Sequence, residues 1–492
     1  MVKINRRQFM GLTIVGGGLT VAANLLAKST KSEVNKNKQL ANLTKVYQSK
    51  NGLLEVDLEA SYTAVNLSGK TAYLLTYNGQ IPGPRLEVKP GDKVKIKLTN
   101  KLSQPTNLHY HGLHIPPTGK GDNVFLEINP QENFTYEFEI PPNHHVGTFW
   151  YHPHFHGYVA EQVFGGLGGL FIIRGELDEI PEIKTAQEEF LVLQDFALDD
   201  QGRLFSSNHM NIMAGREGNI ITVNGEINPT FNLNQNGFLR LRILNASASR
   251  FYNLSLENHP FYLIAATQGA IASPQKMSEL PITPGQRVEI LVKGTPTPQT
   301  YRLLNLPYNR GGMGMMGGMR GGMMGGMMGG RQDLDTPTVL ATIKFDGISQ
   351  SGSLPTKLTS ISSLPKPDKI RTFTLNHGMF PGMGMAFLIN NQPYDHQRID
   401  TQVKLNTVEE WELINTGVMD HPFHVHTNAF QVISRNGKTE PDRVWQDTVL
   451  VLQGETVKIR LSFQDFTGKT VYHCHIFDHE DLGMMGNLEI IS

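Results

Sequence analysis

Cysteine is nearly absent from this sequence, since Cys474 is the only one in 492 residues. A single thiol cannot form an intramolecular disulfide, so the fold is not held together by such bridges. A charge imbalance is missing as well, because the formal net charge is only −1. This balance gives no support for binding to nucleic acid or to a charged membrane surface, and we expect no nucleic-acid partner.

Long apolar runs are also lacking, with one exception near the start. There Asn5-Arg6-Arg7-Gln8-Phe9-Met10 precedes an apolar stretch from Gly11 to Ala27, which glycines interrupt. A transmembrane helix needs about 20 mostly apolar residues, so this stretch is short for a membrane span. Paired arginines before such a stretch are typical of a twin-arginine export signal. We predict that residues 1–30 are this signal, that the mature chain has no membrane span, and that it is periplasmic or extracellular.

Helical periodicity is scarce, whereas 49 glycines and 27 prolines interrupt the chain at short intervals. Lys93–Leu98 and Arg240–Leu244 alternate with the period of two that predicts β-strands. Pro90-Gly91-Asp92 and Pro284-Gly285-Gln286 mark turns ahead of strands. We predict an all-β chain.

An internal repeat divides the chain into three. Asn78-Gly79, Asn224-Gly225 and Asn390-Asn391 each open a similar segment, which leads into a strand and ends at a polar asparagine. The remaining length of about 460 residues also exceeds one hydrophobic core and suits about three domains. The predicted domains are residues 45–178, 185–347 and 365–492.

Metal-ligating side chains surround the lone cysteine. A thiolate, two imidazoles and a weak axial thioether form the ligand set of blue-copper electron-transfer sites. Cys474 is followed closely by His479 and Met484, and the repeat places His421 at a position that has no histidine in the first copy. We predict that these four residues bind a blue copper in the third domain.

Four His-x-His pairs, two in the first predicted domain and two in the third, supply further imidazoles. Both members of a pair lie on one face of a strand, because side chains alternate between faces. So many imidazoles exceed what one or two metal ions usually need, and we expect a three-copper cluster between these domains. The second domain has no such pair, so we expect it to act as a spacer. The eight residues are His109, His111, His152, His154, His424, His426, His473 and His475.

The motifs HYHG, WYHPHFHG, HPFHVH and HCHIFDHEDLGMM resemble, in order and spacing, the four copper signatures of three-domain multicopper oxidases of the laccase kind. The likeness runs over nearly the whole mature chain, and no ligand position is substituted. It implies three cupredoxin-like domains, each a Greek-key β-sandwich, and four copper ions per chain. The resemblance assigns the type 1 copper to His421, Cys474, His479 and Met484, the type 2 copper to His109 and His424, and the type 3 pair to His111, His152, His154, His426, His473 and His475.

The resemblance also implies a reaction. A reductant gives single electrons to the type 1 copper, and Cys474 connects that copper through its peptide neighbours to the type 3 pair. Dioxygen is the acceptor, and four electrons reduce it to two waters. In similar oxidases, acids placed like Asp122 and Glu480 supply protons to the cluster, which requires a tuned carboxyl pKa. We expect the enzyme to be a monomer.

Residues 310–331 differ from an ordinary laccase, because methionines alternate there with glycines in the second domain. A glycine-rich composition by itself predicts only a flexible loop. Thioether sulfur is, however, a soft ligand that suits Cu(I), and similar oxidases with methionine-rich segments often oxidise Cu(I). The eight methionines are Met313, Met315, Met316, Met319, Met323, Met324, Met327 and Met328.

These features together predict a Cu(I)-oxidising enzyme with laccase activity, which would serve copper homeostasis. The alternatives are a general laccase for phenols and aromatic amines, a copper-binding or storage protein with a secondary oxidase centre, and a structural cupredoxin scaffold. Blue absorbance and oxygen uptake distinguish an oxidase from the last two.

Overall fold

The computed structural model describes residues 44–205, 207–311, 336–347, 352–382 and 384–492. Within these ranges the secondary structure is mostly β-strand, with five short helices. The predicted all-β class is therefore confirmed. The predicted export signal and the eight methionines of residues 310–331 lie outside the described residues. Over the described part of the chain, no helix combines the length and apolar character needed to cross a membrane.

The strands fall into three blocks along the chain, and each block forms two sheets. The first block contains β1 (Val46–Gln48), β2 (Leu53–Leu67), β3 (Lys70–Tyr77), β4 (Gly83–Val88), β5 (Lys93–Asn100), β6 (His109–His111), β7 (Asn133–Glu139), β8 (Gly147–His152) and β9 (Gly169–Ile173). Its sheets have the strand orders β1-β4-β9-β8-β6 and β3-β2-β5-β7. Helix α1 (Val159–Phe164) lies between β8 and β9, and α2 (Glu176–Glu179) and α3 (Pro181–Lys184) follow β9.

The second block contains β10 (Gln187–Phe196), β11 (Ile220–Val223), β12 (Thr230–Leu233), β13 (Phe238–Asn245), β14 (Tyr252–Leu256), β15 (Phe261–Ala266), β16 (Gly269–Met277), β17 (Glu279–Ile282), β18 (Arg287–Lys293), β19 (Gln299–Leu306) and β20 (Thr338–Phe345). Helix α4 (His209–Ala214) follows β10. The two sheets have the orders β11-β10-β13-β18-β15-β16 and β12-β20-β19-β14-β17.

The third block contains β21 (Lys369–Phe380), β22 (Gly384–Ile389), β23 (Thr401–Lys404), β24 (Thr407–Asn415), β25 (His421–Val425), β26 (Phe430–Arg435), β27 (Lys438–Thr439), β28 (Trp445–Gln446), β29 (Thr448–Val451), β30 (Thr456–Phe463), β31 (Gly468–Cys474) and β32 (Met485–Ile491). Helix α5 (Phe477–Asp481) joins β31 to β32. One sheet has the order β22-β21-β24-β30-β26-β27, with β28 paired to β26, and the other has β23-β32-β31-β25-β29.

The three blocks repeat one arrangement. A long strand pairs in parallel with a second strand, which pairs antiparallel with a third, in β2-β5-β7, β10-β13-β18 and β21-β24-β30. The turns that mark the repeat have positive φ at both central residues, for example 56° at Asn78 and 71° at Gly79. Such turns favour asparagine and glycine, which tolerate this conformation. The repeat seen in the sequence is therefore a repeat of backbone geometry.

A buried asparagine ends the second strand of each arrangement. Asn100, Asn245 and Asn415 are at most 1% exposed. Each donates two side-chain hydrogen bonds to backbone carbonyls of its own block. Such an amide fixes the loop that follows the strand, and in the first and third blocks that loop leads to a histidine pair.

Candidate metal centres

Two pairs of neighbouring strands position the predicted ligands. β6 pairs with β8 so that His109 lies opposite His152 in the first block. β25 pairs with β31 so that His424 lies opposite His473 in the third block. These strands therefore present their histidines as clusters, even though the residues are far apart in sequence.

The clusters of the first and third blocks meet directly. The Nε2 atoms of His154 and His473 are 3.2 Å apart, and His111 Nδ1 lies 3.2 Å from His475 Nε2. His426 Nε2 approaches His473 Nε2 to 3.0 Å. All eight predicted histidines are at most 2% exposed. The structure thus brings them together in one buried site between the two blocks.

Five of these imidazoles have a ring nitrogen with no hydrogen-bond partner in the described chain, and in three of the five that nitrogen is Nε2. The Nε2 atoms of His109, His152 and His424 are buried and unpaired. The other ring nitrogen, Nδ1, has a partner in each case. His109 Nδ1 lies 2.9 Å from an Asp122 carboxylate oxygen, and His152 Nδ1 lies 2.9 Å from the backbone carbonyl of Pro153. His424 Nδ1 lies 2.7 Å from the backbone carbonyl of Asp447. These partners hold the proton on Nδ1, so each Nε2 lone pair is available to a metal ion. The site therefore fits metal, because unpaired buried nitrogens are otherwise costly.

Burial keeps the clustered histidines neutral. It lowers the pKa of all eight below the usual range, and the neighbouring imidazoles mostly add to this effect. The pKa falls to about 4 for both His154 and His473. A neutral imidazole is the form that binds metal, so the site needs no deprotonation of histidine near pH 7.

A second candidate centre surrounds Cys474. Its Sγ lies 3.5 Å from His421 Nδ1 and 3.7 Å from His479 Nδ1, and all three residues are fully buried. Met484 is also fully buried, and its backbone hydrogen bonds to Cys474 and to His479 hold it beside them. Burial raises the pKa of the Cys474 thiol, so a thiolate here requires a cation such as a metal ion.

The two acids predicted to supply protons both lie at the histidine cluster. Asp122 accepts a backbone N–H and faces His109 Nδ1, and burial raises the pKa of its carboxyl to about 8. Glu480 Oε2 lies 2.9 Å from His473 Nδ1, and Oε1 lies 3.6 Å from His154 Nε2. Despite this close approach, neither Glu480 oxygen makes a hydrogen bond within the described residues, because His473 Nδ1 is directed to the Cys474 carbonyl. Burial raises the pKa of Glu480 to about 7. Both acids therefore stand where a proton can reach the cluster.

Three further residues at the cluster carry no motif that would have revealed them. Asp447 Oδ1 lies 3.1 Å from His111 Nε2. Arg287 and Gln268, both from the second block, donate hydrogen bonds to the Asp447 carboxylate. The second block is therefore more than the spacer that its lack of histidine pairs suggested.

Only Arg310 and Gly311 of the methionine-rich segment belong to the described residues. Gly311, the last described residue before the gap, forms a backbone bridge with Met419, two residues before His421. Tyr308 and Arg310 also bind Asp420, through a side-chain and a backbone hydrogen bond. Arg310 and Gly311 therefore lie against the residues that precede His421.

Comparison with known families gives three matches along the chain, each to a family model described as multicopper oxidase. They cover residues 59–178, 190–315 and 363–491. The multicopper oxidase Mco of Staphylococcus aureus is 32% identical over 451 residues, which are 87% of this chain and 88% of that protein.

Solved structures give the same result. A Campylobacter jejuni multicopper oxidase described as a metallo-oxidase is 33% identical, with a TM-score of 0.80 over 91% of this chain and 94% of its own. A laccase of Pediococcus acidilactici Pa5930 is 27% identical, with a TM-score of 0.77 over 92% of this chain and 93% of its own. Such proteins consist of cupredoxin-like β-sandwich domains, so the predicted fold class is confirmed.

Proposed function

The chain belongs to the multicopper oxidase family, and we propose that its physiological reductant is Cu(I). It is a copper-dependent oxidoreductase that uses oxygen as the electron acceptor. The observation that carries the choice of Cu(I) is the bridge between Gly311 and Met419, because it starts the methionine-rich segment beside His421. Thioethers are soft ligands suited to Cu(I), and the description of the Campylobacter jejuni relative as a metallo-oxidase supports the same choice.

We propose four copper ions in the two centres. The unpaired Nε2 atoms and the convergence of Cys474 with two imidazoles support this assignment. When bound, copper supplies the redox chemistry that takes four single electrons from the reductant and reduces dioxygen to water. The proposed ligands are His421, Cys474, His479 and Met484 for type 1, His109 and His424 for type 2, and His111, His152, His154, His426, His473 and His475 for the type 3 pair.

The protein contributes the connection between the centres. Cys474 belongs to one centre, and its direct neighbours His473 and His475 belong to the other. A single short stretch of backbone therefore joins them. Because all three side chains are fully buried, water is kept away from this connection.

Proton supply is assigned to Glu480 and Asp122. With pKa values raised to about 7 and about 8, both carboxyls can take up and release a proton near neutral pH. An acid works best when its pKa lies near the working pH. Glu480 is the stronger candidate, because its two oxygens have no other partner in the described residues.

Oxidation of phenols and aromatic amines is a second candidate function. It is supported by the similarity to the Pediococcus acidilactici laccase. The two functions are compatible, because any reductant that reaches the type 1 centre can deliver electrons. A storage protein or an inert scaffold would not need a complete set of buried, neutral imidazoles beside two acids of raised pKa.

The proposal is tested by oxygen uptake with Cu(I), Fe(II) and a phenol measured side by side. In a variant with all eight methionines of residues 310–331 replaced by leucine, we expect the KM for Cu(I) to rise about 10-fold, since the soft ligands are lost. Phenol oxidation should stay unchanged, because leucine nearly conserves the volume of methionine. Equal Cu(I) oxidation by both proteins would reject Cu(I) recruitment by this segment.

Location, assembly and domain limits are part of the same proposal. Residues 1–30 would direct twin-arginine export to the periplasm or beyond, and replacing Arg6 and Arg7 by lysine should retain the protein in the cytoplasm. Both metal centres are built from a single chain, which favours a monomer that size-exclusion chromatography can verify. The proposed domains are residues 45–178, 185–347 and 365–492.

A further inference from the structure

A fully buried arginine joins the three blocks next to the histidine cluster. Arg287, at the start of β18 in the second block, is 0% exposed. Its Nε donates to the carbonyl of Thr148 in the first block at 3.0 Å. Other donors reach the carbonyls of Thr267 and Gly285 in its own block.

The remaining hydrogen bonds of this guanidinium go to one carboxylate in the third block. Arg287 Nη1 lies 3.0 Å from Asp447 Oδ1, and Nη2 lies 2.6 Å from Oδ2. An arginine has five N–H donors, and here the guanidinium finds five acceptors. A two-pronged pair of this kind fixes the orientation of the carboxylate as well as its position.

Asp447 in turn holds two histidines of the cluster. Its Oδ1 faces His111 Nε2 at 3.1 Å, and its backbone carbonyl accepts the Nδ1–H of His424 at 2.7 Å. When the Nε2–H of His111 donates a hydrogen bond to the carboxylate, the Nδ1 atom of His111 carries no proton. This Nδ1 faces His475 Nε2, which is 3.2 Å away. A carboxylate behind a ligating histidine sets the tautomer, the ring orientation and the basicity of that ligand.

Glycine backbone packs closely around this group. A Cβ atom on Gly112 would lie 2.6 Å from Arg287 Nη2 and 2.7 Å from Asp447 Oδ2. A Cβ atom on Gly285 would lie 2.6 Å from the His475 ring. Backbone from the first and second blocks is therefore packed against the pair and against the cluster.

We propose that Arg287 is a positioning residue for the copper cluster. It holds the Asp447 carboxylate, which directs Nδ1 of His111 into the cluster. The second block thus controls the ligand geometry of a site to which it contributes no histidine. This inference rests on the proposed copper function.

The test compares Arg287→Lys with a matched control, Arg242→Lys. Arg242 is also a fully buried arginine of the second block, and it binds Glu289 and the Thr148 side chain but none of the histidines. Lysine keeps the charge but has three donors instead of five. For Arg287→Lys we expect normal blue absorbance, an altered type 2 electron paramagnetic resonance signal, and cluster copper that a chelator removes about 10- to 100-fold more readily.

Arg242→Lys should lower the unfolding temperature yet retain cluster copper as the parent does. Asp447→Asn is the second variant, because its amide can present N–H to His111 and favour the wrong tautomer. Asp447→Asn should lose cluster copper selectively, as Arg287→Lys does. If Arg287→Lys does not fold, the result for Asp447→Asn tests the inference on its own. Copper retention in both variants equal to the parent's, or losses matched by Arg242→Lys, would overturn the inference. A parent protein without four copper ions would instead reject the proposed function.

Discussion

Glu480 shows how a single buried side chain can be tuned for proton transfer. Burial raises the pKa of its carboxyl to about 7, and neighbouring His154 lowers it only in part. The next residue, Asp481, is also acidic but has a different task, since its carboxylate accepts the backbone N–H groups of Gly157 and Ala160 near helix α1. The two adjacent acids therefore make a matched pair for experiment.

We predict that Glu480→Gln lowers the turnover number by about 10-fold or more, because general acids commonly contribute 10²–10⁴-fold. In the parent, turnover should decline as the pH rises through about 7, where the carboxyl loses its proton. The glutamine variant should lack that decline, since its amide does not titrate. Oxygen uptake between pH 5 and about 9 measures both effects, and Asp481→Asn should keep the parent's profile. A persisting decline in Glu480→Gln would assign it to another group.

Residues that act on the metal site through another residue could not be predicted from the sequence. Cys474 and the His-x-His pairs are recognisable because their chemistry and spacing are local. Asp447 and Arg287 are ordinary residue types, 160 positions apart, and only the contact between two blocks gives them a role. No periodicity or motif encodes such a contact.

At the scale of elements, the strands were predictable and their surroundings were not. The alternation in Lys93–Leu98 and Arg240–Leu244 marks β5 and β13 correctly. In β5 the lysines are exposed, whereas every residue of β13 is buried. Arg240 and Arg242 lie in the interior because they pair with Glu289 and neighbouring acids next to the first block. The alternating pattern is the same in both strands. It therefore cannot show that the polar face of β13 is buried whereas the polar face of β5 is exposed to solvent.

Helix α5 is a short element that carries both His479 and Glu480. Within the described chain it has no side-chain cap at its start, so its position depends on tertiary contacts. Asp478 of this helix is 1% exposed and contacts Arg216 of the second block. The backbone N and the side-chain Nη2 of Arg216 each lie 2.7 Å from the Asp478 carboxylate. The second block therefore also braces the element that holds a type 1 ligand.

We predict that Asp478→Ala lowers the free energy of unfolding by about 3 kcal/mol, because it leaves Arg216 without its buried partner. The blue absorbance should weaken as well, since α5 no longer holds His479 firmly. Urea denaturation and the visible spectrum measure the two effects. Asp478→Asn keeps an acceptor for the Arg216 N–H and should lie between the parent and the alanine variant. Unchanged absorbance in Asp478→Ala would show that α5 is held by other contacts.

At the scale of the whole molecule, the first and third blocks meet across buried imidazoles as well as across apolar side chains such as Val124 and Val471. Eight histidines there have lowered pKa values and are neutral and buried. Bound metal stabilises such an interface by binding the folded state alone. Without metal, the same interface lowers the stability of the protein in acid, because these imidazoles bind protons more readily in the unfolded chain than in the folded one.

The last prediction concerns copper-free protein in acid. A histidine with a lowered folded pKa binds its proton first in the unfolded chain, so stability falls as the pH drops from about 6.5 to about 4. For one histidine with a folded pKa of about 4, the loss is on the order of 3 kcal/mol. Asp122, Glu480 and Asp481, whose pKa values are raised, act in the opposite direction, but they are three groups against eight.

Copper-free protein should therefore show an unfolding temperature that falls steeply between pH 6.5 and about 4. Copper-loaded protein should resist until protons displace the metal, because each bound imidazole must first leave its ion before it can be protonated. Scanning calorimetry of both forms over this range measures the difference. Unfolding temperatures that fall in parallel for the two forms would contradict this prediction. The acid sensitivity would then come from groups other than the eight clustered histidines.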